Sequence, residues 1–230
     1  MSVAENLNRI NLLIEENCRL ADREKSAVKL LAVSKTKPIE AILAAYQQGQ
    51  TAFGENYVQE GVEKILALQQ LGIRPQWHFI GPLQSNKTRA VAEHFDWMQT
   101  LDRVKIASRL NEQRPPHKAP LNVLIQINIS DESSKSGIPP SQMLSLAQHI
   151  VTMPNLCLRG LMAIPAATRD QHMQIAAFDA MAKLFQRLQQ AYPTQNIDTL
   201  SMGMSDDMAT AIRCGSTMVR IGSAIFGQRS

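Results

Sequence analysis

Cysteine is scarce in this chain: Cys18, Cys157 and Cys214 are the only three in 230 residues, far apart and odd in number. They form no C-x-x-C or other zinc spacing, which argues against a disulfide framework or a structural zinc site; buried free thiols in a reducing compartment are expected. Aromatic residues make up only 5% of the sequence and nowhere interleave with a run of Lys and Arg. The formal charge of +4 is small and dispersed, so nucleic acid is not an expected partner. A few cations converging on a small anion would account for the surplus equally well. No apolar run approaches the roughly 18 residues of a membrane span. Glu5, Arg9, Glu15 and Glu16 interrupt the N-terminal segment, which excludes a signal-peptide core. The expected setting is the cytoplasm, with no membrane partner.

With 44% hydrophobic and 19% charged residues, the chain has the composition of an ordinary globular protein. Leu7, Ile10, Leu13, Ile14 and Leu20 recur at helical spacing across residues 3–23. After them the rhythm becomes a strict alternation. Strands are expected at 29–34, 51–54, 77–80, 97–100, 121–129, 156–164, from 199, and at 217–221. Helices are expected at 39–48, 58–71, 85–93, 103–113, 141–153, 171–191 and 206–214. Strands alternating with helices imply parallel pairing through right-handed crossovers. Eight such units in a chain of this length point to an α/β fold, a (β/α)₈ barrel with an extra N-terminal helix (1–25) packed on it. An open doubly wound sheet is the alternative. No low-complexity linker divides the chain, and Arg114-Pro115-Pro116-His117-Lys118-Ala119-Pro120 stands where an ordinary loop belongs, so one domain over 1–230 is expected.

In a (β/α)₈ barrel, chemistry gathers at the C-terminal ends of the strands. Lys35 stands there, directly after the apolar residues 30–33. Position alone makes it a solvated loop lysine. Partial burial of its stem and the neighbouring Lys37 both favour the neutral, nucleophilic amine instead. The last two strands run into Ser201-Met202-Gly203-Met204-Ser205-Asp206-Asp207 and Gly222-Ser223-Ala224-Ile225-Phe226-Gly227. Each offers glycine, hydroxyls and backbone N–H groups suited to a phosphate. Arg220, between Val219 and Ile221, is placed to meet a ring nitrogen or a phosphate, and Asn56 can donate to a ring oxygen. For Glu55 an ion pair is the simpler role. His78, inside a strand, reads as a hydrogen-bonded core residue more readily than as a base. Lys135, in the polar loop Asp131-Glu132-Ser133-Ser134-Lys135-Ser136-Gly137, needs no function beyond solvation. The methionines, Met162, Met202 and Met204 among them, are expected to pack rather than bind metal. A lysine and two anion loops together suggest a bound phosphate-bearing aldehyde.

The segments Leu-Leu-Ala-Val-Ser-Lys35, Phe-Gly-Glu-Asn56, His78-Phe-Ile-Gly-Pro-Leu-Gln84, Ser-Lys-Ser-Gly137, Arg-Gly-Leu-Met162, Ser201-Met-Gly-Met-Ser-Asp-Asp207 and Val-Arg-Ile-Gly-Ser223 form a set. As a set they closely resemble the pyridoxal phosphate homeostasis protein family, over about residues 30–227. Members of that family are similar to the N-terminal barrel domain of alanine racemase. The resemblance implies pyridoxal 5′-phosphate (PLP) as cofactor, with Lys35 as Schiff-base lysine. It places the phosphate at Ser201, Ser205, Gly222 and Ser223 with the backbone of Met204, and Arg220 at the pyridine nitrogen. It puts Asn56 near the ring, His78 behind it, and Lys37 and Lys135 as secondary residues for handling PLP. It further implies a monomeric PLP carrier or buffer that influences amino-acid and keto-acid metabolism and transiently meets PLP-dependent apo-enzymes. Racemization needs a second base from a C-terminal domain that is not expected here, so binding without turnover is the expectation. A weak racemase or lyase using His78 or Lys135 is one alternative; a Schiff-base aldolase acting on a phosphorylated sugar without PLP is the other.

Overall fold

The computed structural model describes residues 2–130, 136–168 and 170–228. Its first element, α1 (Val3–Leu20), begins at a reciprocal cap. The Ser2 hydroxyl accepts from the Glu5 N–H while the Glu5 carboxylate accepts from the Ser2 N–H. One stripe of this helix, Leu7, Ile10, Ile14 and Cys18, is buried.

The alternation that follows is regular. It comprises β1 (Lys29–Val33), α2 (Ile39–Gln47), β2 (Ala52–Glu55), α3 (Val58–Gln70), β3 (Gln76–Phe79), α4 (Thr88–His94), β4 (Trp97–Leu101) and α5 (Val104–Gln113). It continues with β5 (Leu121–Gln126), α6 (Met143–Ile150), β6 (Leu156–Met162), α7 (Gln171–Ala191), β7 (Thr199–Ser201), α8 (Met208–Arg213), β8 (Met218–Ile221) and α9 (Ser223–Phe226). The strands pair in sequence order, all parallel, and β1 closes on β8. The barrel is therefore the expected one, and the open sheet is excluded.

Parallel strands in a barrel are covered on both sides, and side chains alternate between them. Ala32, Phe53, Phe79, Met98, Val123, Ile125, Val219 and Ile221 face outward into one large core shared with the helices. Their neighbours point into the barrel, where Leu31, Ile80 and Met218 form one small apolar cluster and Trp97, Leu124 and Met162 another. The rest of the interior is polar, as described below.

Beside small boundary shifts, such as β6 ending at Met162 rather than 164, two features depart from the sequence reading. β5 ends at Gln126 rather than 129, because Ile127 leaves the ladder to bridge Ile138. The last glycine-serine segment is not a plain loop: Gly222 is followed by the short helix α9. Asn6 and Arg9 of α1 donate to the carbonyls of Ile225 and Ala224, so the N-terminal helix braces α9 from outside. No helix among the described residues is long and apolar enough to cross a membrane, and no group of three His, Cys, Asp or Glu residues among them is placed to hold a metal ion.

Candidate functional site

A cavity of about 400 Å³ opens at the C-terminal ends of β1, β2, β7 and β8. Lys35, Asn56, Met204, Ser205, Arg220 and Ser223 are in its wall, with Lys37 and Gly222, and Val33, Ile80 and Ile164 supply its apolar surface. Cations, hydroxyls and an apolar face thus meet in one concave space, as a small aromatic anion requires. Asn56 Oδ1 is buried without a hydrogen-bond partner, an acceptor left for a ligand to fill. A Cβ on Gly222 would crowd the Val33 carbonyl oxygen at 3.2 Å. Gly81 must be small, since a Cβ there would overlap the carbonyl of Asn56.

Lys35 is half-buried in the turn after β1, and the next residue, Thr36, has a left-handed backbone with φ of 62°. Such a conformation costs a non-glycine residue energy and persists only when its surroundings enforce it. A buried charge cluster does so here. Lys64 of α3 donates to the Ser34 carbonyl at 2.7 Å, to Glu55 Oε1 at 2.8 Å and to Glu60 Oε1 at 2.6 Å. Glu55 Oε1 also accepts the Ser34 hydroxyl at 2.6 Å, and Glu60 Oε1 accepts the Thr36 N–H at 2.5 Å. Both neighbours of Lys35 are gripped by the same three charges. Burial raises the Glu55 pKa above the ordinary carboxylate value, with Lys64 opposing. The ion pair expected for Glu55 is present, and its partner is Lys64 of α3, a residue the sequence did not single out.

Beneath the cavity, a hydrogen-bonded chain crosses the barrel interior. Gln99 Nε2 donates to His78 Nδ1 at 2.9 Å, which leaves His78 Nε2–H to donate to Gln76 Oε1 at 3.0 Å. Gln99 Oε1 accepts the Ser201 hydroxyl at 2.7 Å, and Ser201 Oγ accepts from Arg220 Nη1 at 2.8 Å. Arg220 Nη2 donates to the Ala163 carbonyl at 2.9 Å. Burial draws the Arg220 pKa down to about 10, opposed by Asp207, so the guanidinium stays charged at neutral pH. His78 stacks on Trp97 with ring centroids 4.9 Å apart. Its pKa is pulled to about 3, chiefly by burial, with Lys29 adding to the effect.

The structure thus brings together Lys35, Lys37, Asn56, Met204, Ser205, Arg220, Gly222 and Ser223 in one wall. It does not bring His78 or Ser201 there. Both are fully buried below Arg220; the Ser201 hydroxyl, expected at the phosphate, donates to Gln99 and accepts from Arg220 in this structure. The Met204 N–H is likewise committed, to Asp207 Oδ1 at 2.6 Å. Lys37 donates to the Gln228 carbonyl at 2.8 Å. Lys135 lies outside the described residues. Gln99 and Lys64 carry no motif, and only the spatial arrangement reveals them; Asp207 closes the Ser201–Asp207 motif, but its bond to the Met204 N–H shows only in the structure.

The alanine racemase N-terminal domain family matches residues 13–230. Curated relatives named pyridoxal phosphate homeostasis protein are 69% identical in Haemophilus influenzae, over 100% of this chain and 97% of the relative, and 56% identical in Escherichia coli K12, over 99% and 97%. Among solved structures, PipY of Synechococcus elongatus with PLP bound is 33% identical with a TM-score of 0.80, over 93% of this chain and 100% of that one. An alanine racemase of Clostridium difficile, 18% identical with a TM-score of 0.68 over 97% of this chain and 57% of that one, shares the barrel fold. With the closed barrel and these near full-length matches together, the chain belongs to the pyridoxal phosphate homeostasis protein family, within the alanine racemase N-terminal domain family.

Proposed function

We propose that this chain holds pyridoxal 5′-phosphate in the cavity at the C-terminal end of its barrel and keeps it as a bound reserve. The observation that carries this reading is that an amine, Lys35, and a buried guanidinium, Arg220, share one wall with Asn56, Ser205, Gly222 and Ser223. The residues fit the group. Lys35 supplies the amine that takes the aldehyde. The Ser205 and Ser223 hydroxyls, with backbone at Gly222 and the first turn of α9, suit the phosphate. The unpartnered Asn56 Oδ1 suits a ring hydroxyl, and Arg220 the ring nitrogen. PLP bound to the similar PipY supports the same assignment. Lys37, and Lys135 outside the described residues, remain secondary positions for the ligand.

Bound PLP supplies a reactive aldehyde and, in enzymes, an electron sink. Arg220 disfavours the second role: a permanent cation facing the ring nitrogen keeps it unprotonated. His78 offers no second base, being neutral, bonded at both ring nitrogens and outside the cavity. Storage and delivery to PLP-dependent apo-enzymes by a cytoplasmic monomer, without substrate turnover, is the reading these features support.

The test is to load the protein with PLP, reduce it with borohydride and locate the pyridoxyl group by peptide mass spectrometry. Modification of Lys35, lost in Lys35→Ala, is the expected outcome. Labelling at other lysines with Lys35 unmodified overturns the reading. Solvent-deuterium exchange at the α-carbon of added amino acids tests turnover separately; exchange that depends on Lys35 removes the storage-only part.

A further inference from the structure

The N-terminal end of the barrel holds a second cavity, of about 430 Å³, where β3, β4 and β5 begin. Arg74, Arg114, Lys118, His94, Asp96 and Asn122 are in its wall. Three cations therefore face one carboxylate, and that carboxylate is partly occupied: Asp96 Oδ2 accepts the Trp77 N–H at 2.8 Å.

Arg114 has a structural role that explains part of this. It is 7% exposed; its Nε donates to the Ala119 carbonyl and its Nη1 to the carbonyls of Ala92 and Phe95, stapling the end of α4 to the start of β5. The staple uses three of the five guanidinium hydrogens. Nη2 has no hydrogen bond to any described residue, although the side chain lines the cavity. Lys118 is half-buried, and its ammonium makes no hydrogen bond or ion pair with the described residues. Arg74 likewise has none. Burial and then Arg114 lower the Lys118 pKa against the opposing pull of Asp96, while burial and Lys118 lower that of His94 against Glu93. Arg114 and Lys118 crowd one another in a partly desolvated concave space, with the exposed Arg74 beside them and one partly occupied carboxylate, Asp96, to offset them, which leaves a place for an external counter-charge.

We propose that this cavity binds a phosphate dianion, free or as a small phosphate monoester. An arginine edge with two unused N–H groups, an ammonium and a second guanidinium offer more donors than one carboxylate accepts, and match the oxygens of a phosphate. The volume leaves room for a small organic group beside it, with the Gln76 and Asn122 amides in the wall. This site lies at the opposite end of the barrel from Lys35 and does not depend on the PLP assignment.

The chain has two tryptophans, and Trp77 lines this cavity while Trp97 does not. Titrating ¹⁵N-labelled protein with sodium phosphate against sodium chloride at matched ionic strength reads the site through the Trp77 indole signal. Phosphate bound in the upper cavity leaves that signal in place. A saturable phosphate-specific shift is expected, weakened at least about tenfold in Arg74→Gln/Lys118→Gln, which removes two charge-assisted contacts. Arg114 is left intact in that variant so that the fold is kept, with an unchanged melting temperature as the check. An unmoved Trp77 signal, or a correctly folded double variant that binds as the wild type does, overturns the proposal. Glycerol phosphate distinguishes the sources: tighter binding than inorganic phosphate assigns an organic ester, and equal or weaker binding assigns the free ion.

Discussion

Arg220 Nη1 donates to Ser201 Oγ across 2.8 Å, and the same hydroxyl passes its own hydrogen to Gln99 Oε1 at 2.7 Å. Ser201 therefore holds the Arg220 guanidinium, and the prediction is that it acts on the ligand through that cation. Ser201→Ala leaves Gln99 Oε1 without its donor in the barrel interior, at a cost of about 1–3 kcal/mol. Under this geometry the variant weakens PLP and the unphosphorylated aldehyde pyridoxal by the same factor, because the affected contact is at the ring. Paired binding titrations check this. A loss confined to PLP would restore Ser201 as a phosphate ligand.

Lys64 and Glu55 form the second support, on either side of Lys35. Lys64→Met strips the buried Glu55 carboxylate of its cation and the Ser34 carbonyl of a donor. Breaking a buried pair from one side costs about 3–5 kcal/mol. The double variant Lys64→Met/Glu55→Gln removes the stranded charge, so it is expected to recover much of that loss in urea unfolding. It is not expected to recover the rate of PLP attachment at Lys35, since the Ser34–Thr36 turn is still released. Full recovery of both would reduce Lys64 to a stability residue with no part in presenting Lys35.

The barrel was legible because each β-to-α transition repeats the same local signal, and every strand begins within one residue of its expected start. That Lys35, Asn56, Arg220 and Ser223 would share one cavity wall was legible because they stand at strand ends, which the barrel gathers on one face. Gln99 and its bond to Ser201 were not, because what joins the two is closure of the barrel between residues 102 apart in sequence. No local pattern marks a polar residue that points into a barrel rather than out of it. Lys64 was hidden for a related reason: a lysine among Val62, Ile65 and Leu68 reads as a helix flank until β2 places Glu55 against it.

His78 gives the chain a specific sensitivity to acid. Burial holds its folded-state pKa near 3, against 6.5 for a free imidazole. Between those values the unfolded chain binds a proton and the folded chain does not, so stability rises with pH across that window and falls as the solution is acidified through 6.5. At pH 5, about 1.5 units below the free value, the loss is about 2 kcal/mol. The sign follows from the chain of bonds as well: a proton on Nδ1 would face the Gln99 Nε2 hydrogens, and no acceptor replaces them. His78→Met removes the titrating ring. It is less stable than the wild type at pH 8 by about 1–3 kcal/mol, since Gln76 and Gln99 lose their partner. Its further loss on going to pH 5 is smaller than the wild type's by about 2 kcal/mol. His94, whose pKa is also lowered, contributes with the same sign in both proteins and cancels from the comparison. Urea midpoints at pH 8 and pH 5 for the two proteins decide it, and equal losses would mean that the buried ring takes up its proton without leaving the hydrogen-bonded chain.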